Sequence, residues 1–149
     1  MDILRGNITL DTSALIEFLT GTKLGRIVKE YFETLKPEEK VYCSLYAVSE
    51  IFYVLCRLKG PEYAAEKVGE ILSSQVVEVE GTEEMAFETG RLKCERSISI
   101  GDCSCIVTAK ITGSIAVFAQ SEKEILKEMK RTPFPAKILF LSDTNKAEK

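Results

Sequence analysis

The chain has 149 residues, a formal charge of −3 and 45% hydrophobic residues, a composition typical of one globular domain. It contains no histidine, which excludes Ser-His-Asp and Cys-His catalysis and any histidine metal ligand. The five cysteines form no CxxC pair, which argues against zinc and predicts reduced thiols in a cytoplasmic protein. No apolar run is long enough for a membrane span, and residues 1–5 lack the layout of a signal peptide.

Short apolar strands alternate with helices along the first half of the chain. Thr12 or Ser13 can cap the first predicted helix, and Ser44 can cap the third. The predicted elements are, in chain order, a strand at 8–10, helices at 14–19 and 23–35, a strand at 41–43, helices at 44–58 and 62–72, and a strand at 76–79.

The second half repeats this alternation. Ser121 and Glu124 have the spacing of a capping box, which predicts the start of a helix. The chain from Ser142 is predicted to be a flexible polar tail, so the domain is expected to span residues 1–141. The predicted elements are helices at 82–95 and 102–112, a strand at 115–118, a helix at 121–130 and a strand at 137–141.

Five apolar, mostly unalternating strands separated by helices indicate a parallel sheet covered on both faces. The sequence therefore predicts a single three-layer α/β/α domain. Ligands of such sheets bind outside the carboxyl ends of the strands. Asp11 follows the first strand directly, and Asp102 begins a helix after Gly101. Each of these acids can also be explained as a helix-capping or first-turn aspartate.

Glu50 lies inside the predicted helix at 44–58 and is followed by five apolar or aromatic residues. That run predicts a helix buried nearly all round, in which a carboxylate is costly unless it is paired or bound to a metal. The alternative is a narrow solvated face that Glu50 shares with Tyr46 and Arg57.

The segments around these acids resemble the motifs of the PIN-domain nucleases. The motifs are Leu10–Ile16, Ser44–Ile51 and Ser99–Ala109, and the resemblance covers the chain from Ile8 to Leu141. Within that family, the size of the chain is similar to that of VapC-like toxins of toxin–antitoxin pairs.

The resemblance implies a sheet ordered 3-2-1-4-5, with Asp11, Glu50 and Asp102 as catalytic ligands of Mg²⁺ or Mn²⁺. It implies hydrolysis of RNA by metal-activated water, which agrees with the missing histidine. It also implies an antitoxin peptide as a partner. The apolar helices at 14–35 and 45–58 could supply its groove and a homodimer face.

The chain departs from the family pattern at the fourth acid, which many members carry after the fourth strand in a Thr-x-Asp pattern. Ala119 and Ser121 stand at those two positions. Ser121, Glu122 or Glu124 could support the site instead, and Thr12 and Ser13 could orient Asp11 or a phosphate. The departure leaves open a second function, a degenerate PIN-like module that binds RNA or a protein without cleaving.

Local basic groups are needed for RNA binding, because contacts to phosphate supply most of its non-specific affinity. Arg91 and Lys93 precede the Asp102 motif and are the predicted substrate contacts. The alternative for both is an ordinary solvated helix face.

Overall fold

The computed structural model describes residues 4–147. Its five short strands are all parallel and pair in the spatial order β3-β2-β1-β4-β5. Both the parallel five-stranded sheet and the order that the resemblance implies are thereby confirmed. The strands are β1 (Ile8–Leu10), β2 (Val41–Ser44), β3 (Val77–Glu80), β4 (Ile115–Phe118) and β5 (Ile138–Phe140).

The helices of the described residues all lie within a few residues of their predicted bounds, with one addition at the carboxyl end. None of them combines the length and the apolar composition needed to cross a membrane. They are α1 (Thr12–Leu19), α2 (Lys23–Glu33), α3 (Leu45–Lys59), α4 (Pro61–Leu72), α5 (Glu83–Glu95), α6 (Ile100–Thr112), α7 (Lys123–Arg131) and α8 (Leu141–Ala147).

Two apolar cores cover the two faces of the sheet. Side chains such as Leu10 and Val41 join buried residues of α1–α4 and α8 in one core. Ala116 and Phe118 join buried residues of α5, α6 and α7 in the other. Burial on both faces explains why the strands are continuously apolar rather than alternating, as the sequence pattern predicted.

The parallel pairing brings the carboxyl ends of the strands to one edge of the sheet. β1 lies between β2 and β4, and Leu10 is in register with Val117. The backbone N–H of Asp11 donates to the Val117 carbonyl at 2.9 Å, which fixes this acid directly beyond the end of β1. Residues that come after the other strands therefore surround Asp11.

Helix α3 is not buried nearly all round, contrary to the prediction. Its buried residues are only Ala47, Ile51 and Leu55, one stripe that faces the core. Leu45, Tyr46, Phe52, Tyr53 and Leu58 are exposed. The helix packs on the sheet and α4 along one side only, so a run of apolar residues overstated its burial.

Ser121 does not cap helix α7, which corrects the predicted capping box. Glu122 occupies the N-cap position and makes no capping hydrogen bond through its side chain. The backbone N–H of Ser121 instead donates to Ser142 Oγ at 3.3 Å. The connection from β4 to α7 is therefore fixed by the segment after β5 rather than by a local cap.

After β5 the chain continues as α8, within the segment that was predicted to be a flexible polar tail. Leu141 is fully buried, and the N–H of Ser142 donates to the Ala119 carbonyl at 2.9 Å. These contacts anchor the first turn of the helix. Residues 148 and 149, also part of the predicted tail, lie outside the described residues.

Candidate active site

A cavity of about 840 Å³ opens at the carboxyl edge of the sheet. All three acids that the motifs single out line it, although they come from the start of α1, the middle of α3 and the first turn of α6. Three further acidic residues, Glu95, Glu122 and Glu124, line the same cavity. The fold thus gathers six acidic residues around one space.

Asp11 is held by Ser13 as well as by its place after β1. It is the N-cap of α1, and its Oδ2 accepts hydrogen bonds from the backbone N–H of Ser13 at 3.0 Å and from Ser13 Oγ at 2.7 Å. Ser13 Oγ accepts in turn from the N–H of Ala119 at 3.1 Å. Capping therefore does not exclude a functional role for Asp11, because only one carboxylate oxygen serves the cap.

Thr12 lines the cavity beside Asp11 and is buried. The hydrogen bonds that orient Asp11 come from Ser13, however, and not from the Thr12 hydroxyl. Of the two residues that the sequence offered for this role, Ser13 is therefore the one that orients Asp11.

Asp102 lies in the first turn of α6 and is buried. Ser99 is the N-cap of this helix, and its Oγ accepts from the backbone N–H of Asp102 at 3.1 Å. The bond fixes the backbone of Asp102 while its carboxyl faces the cavity. The Ser-x-x-Asp spacing is the sequence signal that could have identified Ser99.

Glu50 reaches the cavity from the second turn of α3, and its carboxylate lies against the backbone of Gly101. The alternative in which Glu50 shares a narrow face with Tyr46 and Arg57 holds only for Tyr46. Burial and then the negative charge of Glu50 raise the pKa of Tyr46. The Arg57 guanidinium lies over the Tyr53 ring, 5.1 Å from its centroid.

Glu122 lies one residue after Ser121, the position at which the family pattern predicts a fourth acid. Its negative charge contributes to the raised pKa of both Asp11 and Asp102. Ser121 is exposed and does not line the cavity. Because α7 begins at Lys123, the position that faces the site is 122 and not 121.

The acids that line the cavity form an acidic cluster, in which the pKa values of the two buried aspartates, Asp11 and Asp102, are raised. Burial, with smaller contributions from Glu50 and Glu122, raises the pKa of Asp11 to about 7 against the two Ser13 hydrogen bonds. Burial and the charges of Asp11 and Glu122 raise the pKa of Asp102 to about 8. Perturbed carboxyls in a cleft are a common mark of functional sites.

The donor set fits a hard divalent cation, because it consists of carboxylate oxygens with no sulfur or imidazole nitrogen. In the part of the chain that the structure describes, no three acidic or cysteine side chains are close enough to hold one ion as they stand. Mutual repulsion keeps carboxylates apart, and a cation between them would remove it.

The end of α5 brings two basic residues, Lys93 and Arg96, to the cavity together with Glu95. Lys93 is exposed and lines the cavity, whereas Arg91 does not and instead pairs with Glu88 at 3.7 Å. Of the two predicted substrate contacts, only Lys93 therefore faces the acids. Arg96 also borders the cavity, but it is buried and ion-paired with Glu128 at 3.3 Å.

The sequence of the chain matches one protein family, and its fold matches that of several solved structures. The PIN domain family matches residues 8–131. No curated protein sequence is significantly similar to the chain.

Several solved VapC structures share its fold at low identity. VapBC2 from Rickettsia felis, bound to a promoter DNA fragment, is 17% identical with a TM-score of 0.66, over 90% of this chain and 98% of its own. DNA-bound VapBC from Salmonella typhimurium is 19% identical with a TM-score of 0.64, over 92% and 99%. Mycobacterium tuberculosis VapC20, a toxin that cleaves the sarcin–ricin loop, is 20% identical with a TM-score of 0.63, over 81% and 94%.

The family match covers most of the chain, and its span includes the three motif acids, Lys93 and Glu122. The fold of the VapC structures agrees with it, including the parallel sheet that places these residues at one edge. This chain therefore belongs to the PIN domain family.

Proposed function

We propose that the chain is a metal-dependent endoribonuclease that hydrolyses RNA phosphodiesters. The observation that carries this proposal is the convergence of Asp11, Glu50, Asp102 and Glu122 on one cavity. Their oxygens would hold Mg²⁺ or Mn²⁺, with Glu122 taking the place of the absent Thr-x-Asp acid. A bound cation supplies a lowered pKa for coordinated water and neutralises charge on the phosphate.

Other residues of the cavity would orient the acids and bind the RNA. Ser13 keeps one oxygen of Asp11 engaged and leaves the other for the site. Asp102 is fixed through its backbone by Ser99. Lys93 supplies a positive charge at the end of α5, where it would bind an RNA phosphate and hold the strand beside the acids. Glu124 borders the cavity from an exposed position and has a supporting role at most.

The known relatives support an RNA substrate, since VapC20 is a toxin that cleaves the sarcin–ricin loop. The relatives also include toxin–antitoxin complexes, so we extend the proposal to the toxin of such a pair, acting in the cytoplasm. An antitoxin peptide would then restrain the enzyme until it is removed.

RNA cleavage tests the proposal directly. Purified protein with Mn²⁺ should cleave single-stranded RNA, and Asp11→Asn should lower the rate at least about a hundredfold because it removes a buried ligand. Ser121→Ala is the matched control, because this residue does not line the cavity, and should cleave like the wild type. RNA binding without cleavage, equal in wild type and Asp11→Asn, would contradict the proposal and support the non-cleaving module.

We also propose a homodimer through the exposed side of α3. Leu45 and Tyr53 are 56% and 46% exposed, and Tyr46 and Phe52 lie on the same side of the helix. A row of exposed apolar side chains of this length is typical of interfaces. Sedimentation should give a dimer for the wild type and a monomer for Leu45→Glu, and a monomeric wild type would overturn this part.

A further inference from the structure

Glu50 differs from the other motif acids in how it reaches the cavity. Asp11 and Asp102 lie at the ends of strands or helices, so their backbones bring them to the sheet edge. Glu50 extends from the second turn of α3 across to the first turn of α6. Its carboxylate therefore depends on the space that α6 leaves for it.

That space exists because residue 101 has no side chain. A Cβ atom built on Gly101 would lie 2.7 Å from Glu50 Oε2, 2.9 Å from Oε1 and 3.2 Å from Cδ. The first two distances are shorter than real Cβ contacts, so any larger residue would push the carboxylate away. The displaced group would then move relative to the other acids that line the cavity.

The backbone gives no other reason for a glycine here. Within residues 4–147 the glycines with positive φ are Gly6, Gly21, Gly60 and Gly113, so Gly101 does not use its conformational freedom. It lies in the first turn of a regular helix, where alanine is favoured over glycine. A glycine at this position is explained by the Glu50 carboxylate that it accommodates.

We propose that Gly101 is a positioning residue, which holds the Glu50 carboxylate in the acidic cavity by leaving the space of a Cβ atom empty. This inference rests on the proposed function, because the positioned group is one of its metal ligands. The clash concerns the flexible end of a side chain and not the backbone. Replacement of Gly101 should therefore disturb the site while sparing the fold.

Gly101→Ala tests this with Gly90→Ala as the matched control. Gly90 is also helical, and an added Cβ there would meet nothing within 4 Å. Both variants should melt at or slightly above the wild-type temperature without metal. Calorimetry should show Mn²⁺ binding weakened roughly ten- to hundredfold in Gly101→Ala and unchanged in Gly90→Ala.

A double-mutant cycle shows whether Gly101 acts through Glu50. In a Glu50→Gln background, Gly101→Ala should weaken Mn²⁺ binding no further, because the charge that it positions is already absent. Equal Mn²⁺ binding by Gly101→Ala and Gly90→Ala, additive effects in the cycle, or loss of folding in Gly101→Ala would each overturn the proposal.

The two proposals fail in distinguishable ways. If wild-type protein binds no Mn²⁺ and cleaves no RNA, the proposed function is wrong. The role of Gly101 is then decided by a crystal structure of metal-free Gly101→Ala. A displaced Glu50 carboxylate supports positioning, and an unmoved one overturns it.

Discussion

Asp11 and Asp102 are buried among other carboxylates, whereas Glu128 is buried between Arg96 and Arg131. In the first cluster, the pKa of each aspartate is raised by burial and by neighbouring negative charge. In the second, hydrogen bonds from Arg131 and the charges of both arginines lower the pKa of Glu128. Neighbouring groups thus shift the pKa of buried carboxyls in opposite directions in two parts of one small domain.

Arg96, Glu128 and Arg131 form a paired cluster, which joins parts of the chain that frame the cavity. Arg96 donates from Nη2 to the Thr132 carbonyl at 2.5 Å, and its guanidinium carbon lies 4.0 Å from the Phe134 ring centroid. It thereby ties the end of α5 to the end of α7. The paired cluster gives Glu128 partners that favour its charged form, whereas burial and repulsion in the acidic cluster disfavour the charged form of its aspartates, a repulsion that a bound cation would relieve.

The pH dependence of stability should separate the clusters most strongly. A raised pKa in the folded state contributes stability that is full below pH 4 and is lost as pH rises through about 7 for Asp11 and about 8 for Asp102. For Asp11 the loss has an upper limit on the order of 4 kcal/mol. Glu128, whose pKa is lowered, contributes stability that is lost only in acid.

Denaturant unfolding of metal-free protein between pH 4 and 8 checks this prediction. Asp11→Asn should be more stable than the wild type at pH 8, and its stability should fall less over the range. If wild type and variant have parallel pH profiles, the acidic cluster does not store the repulsion that we assign to it.

Replacement of Arg96 should have the next largest effect on stability. Arg96→Ala leaves Glu128 with one partner fewer and removes the contact with Phe134, so we expect a loss of about 3 kcal/mol in the free energy of unfolding. Arg91→Ala is the matched control, because it breaks an exposed ion pair worth less than about 1 kcal/mol. Equal stability of the two variants would show that the paired cluster contributes no more to stability than an exposed ion pair.

Mn²⁺ should stabilise the wild type by about 2.7 kcal/mol at one hundred times its dissociation constant. For a domain of this size, that corresponds to a rise in Tm of roughly 5–10 °C. Asp102→Asn should show little of this rise, whereas Arg96→Ala should retain it from a lower starting Tm. A metal response in wild type and Asp102→Asn of equal size would place the bound ion elsewhere.

Lys93 should give the smallest effect. Lys93→Ala should raise KM for RNA roughly fivefold, or about 1 kcal/mol, and flatten the salt dependence of binding. Arg91→Ala should leave KM unchanged because Arg91 lies away from the cavity. The reverse order of the two variants would show that RNA follows the other face of α5.

The sheet and the place of the acids were predictable because parallel strands bring their carboxyl ends to one edge. A residue that comes directly after a strand, such as Asp11, was therefore located well. Residues whose place depends on distant parts of the chain were not. Arg96 is close in sequence to exposed bases, but Glu128 and Phe134, much later in the chain, bury it.

Local patterns were also outweighed by tertiary contacts. The spacing at Ser121 predicted a helix cap, but the N–H of Ser121 donates to Ser142 Oγ instead. Helix α7 begins at Lys123, and Glu122 is its N-cap residue. The apolar run in α3 indicated burial, but only one side of the helix meets other elements. For both α7 and α3, the sequence pattern predicted the helix correctly but not the residues that contact it.

A crystal of the wild-type protein soaked in Mn²⁺ and measured for anomalous scattering tests the central claim most directly. We predict a peak in the cavity, about 2.1 Å from carboxylate oxygens of Asp11 and Asp102, with Glu50 and Glu122 in direct or water-mediated contact. A fully soaked crystal with no peak among these four carboxylates would contradict the claim that they form a metal site.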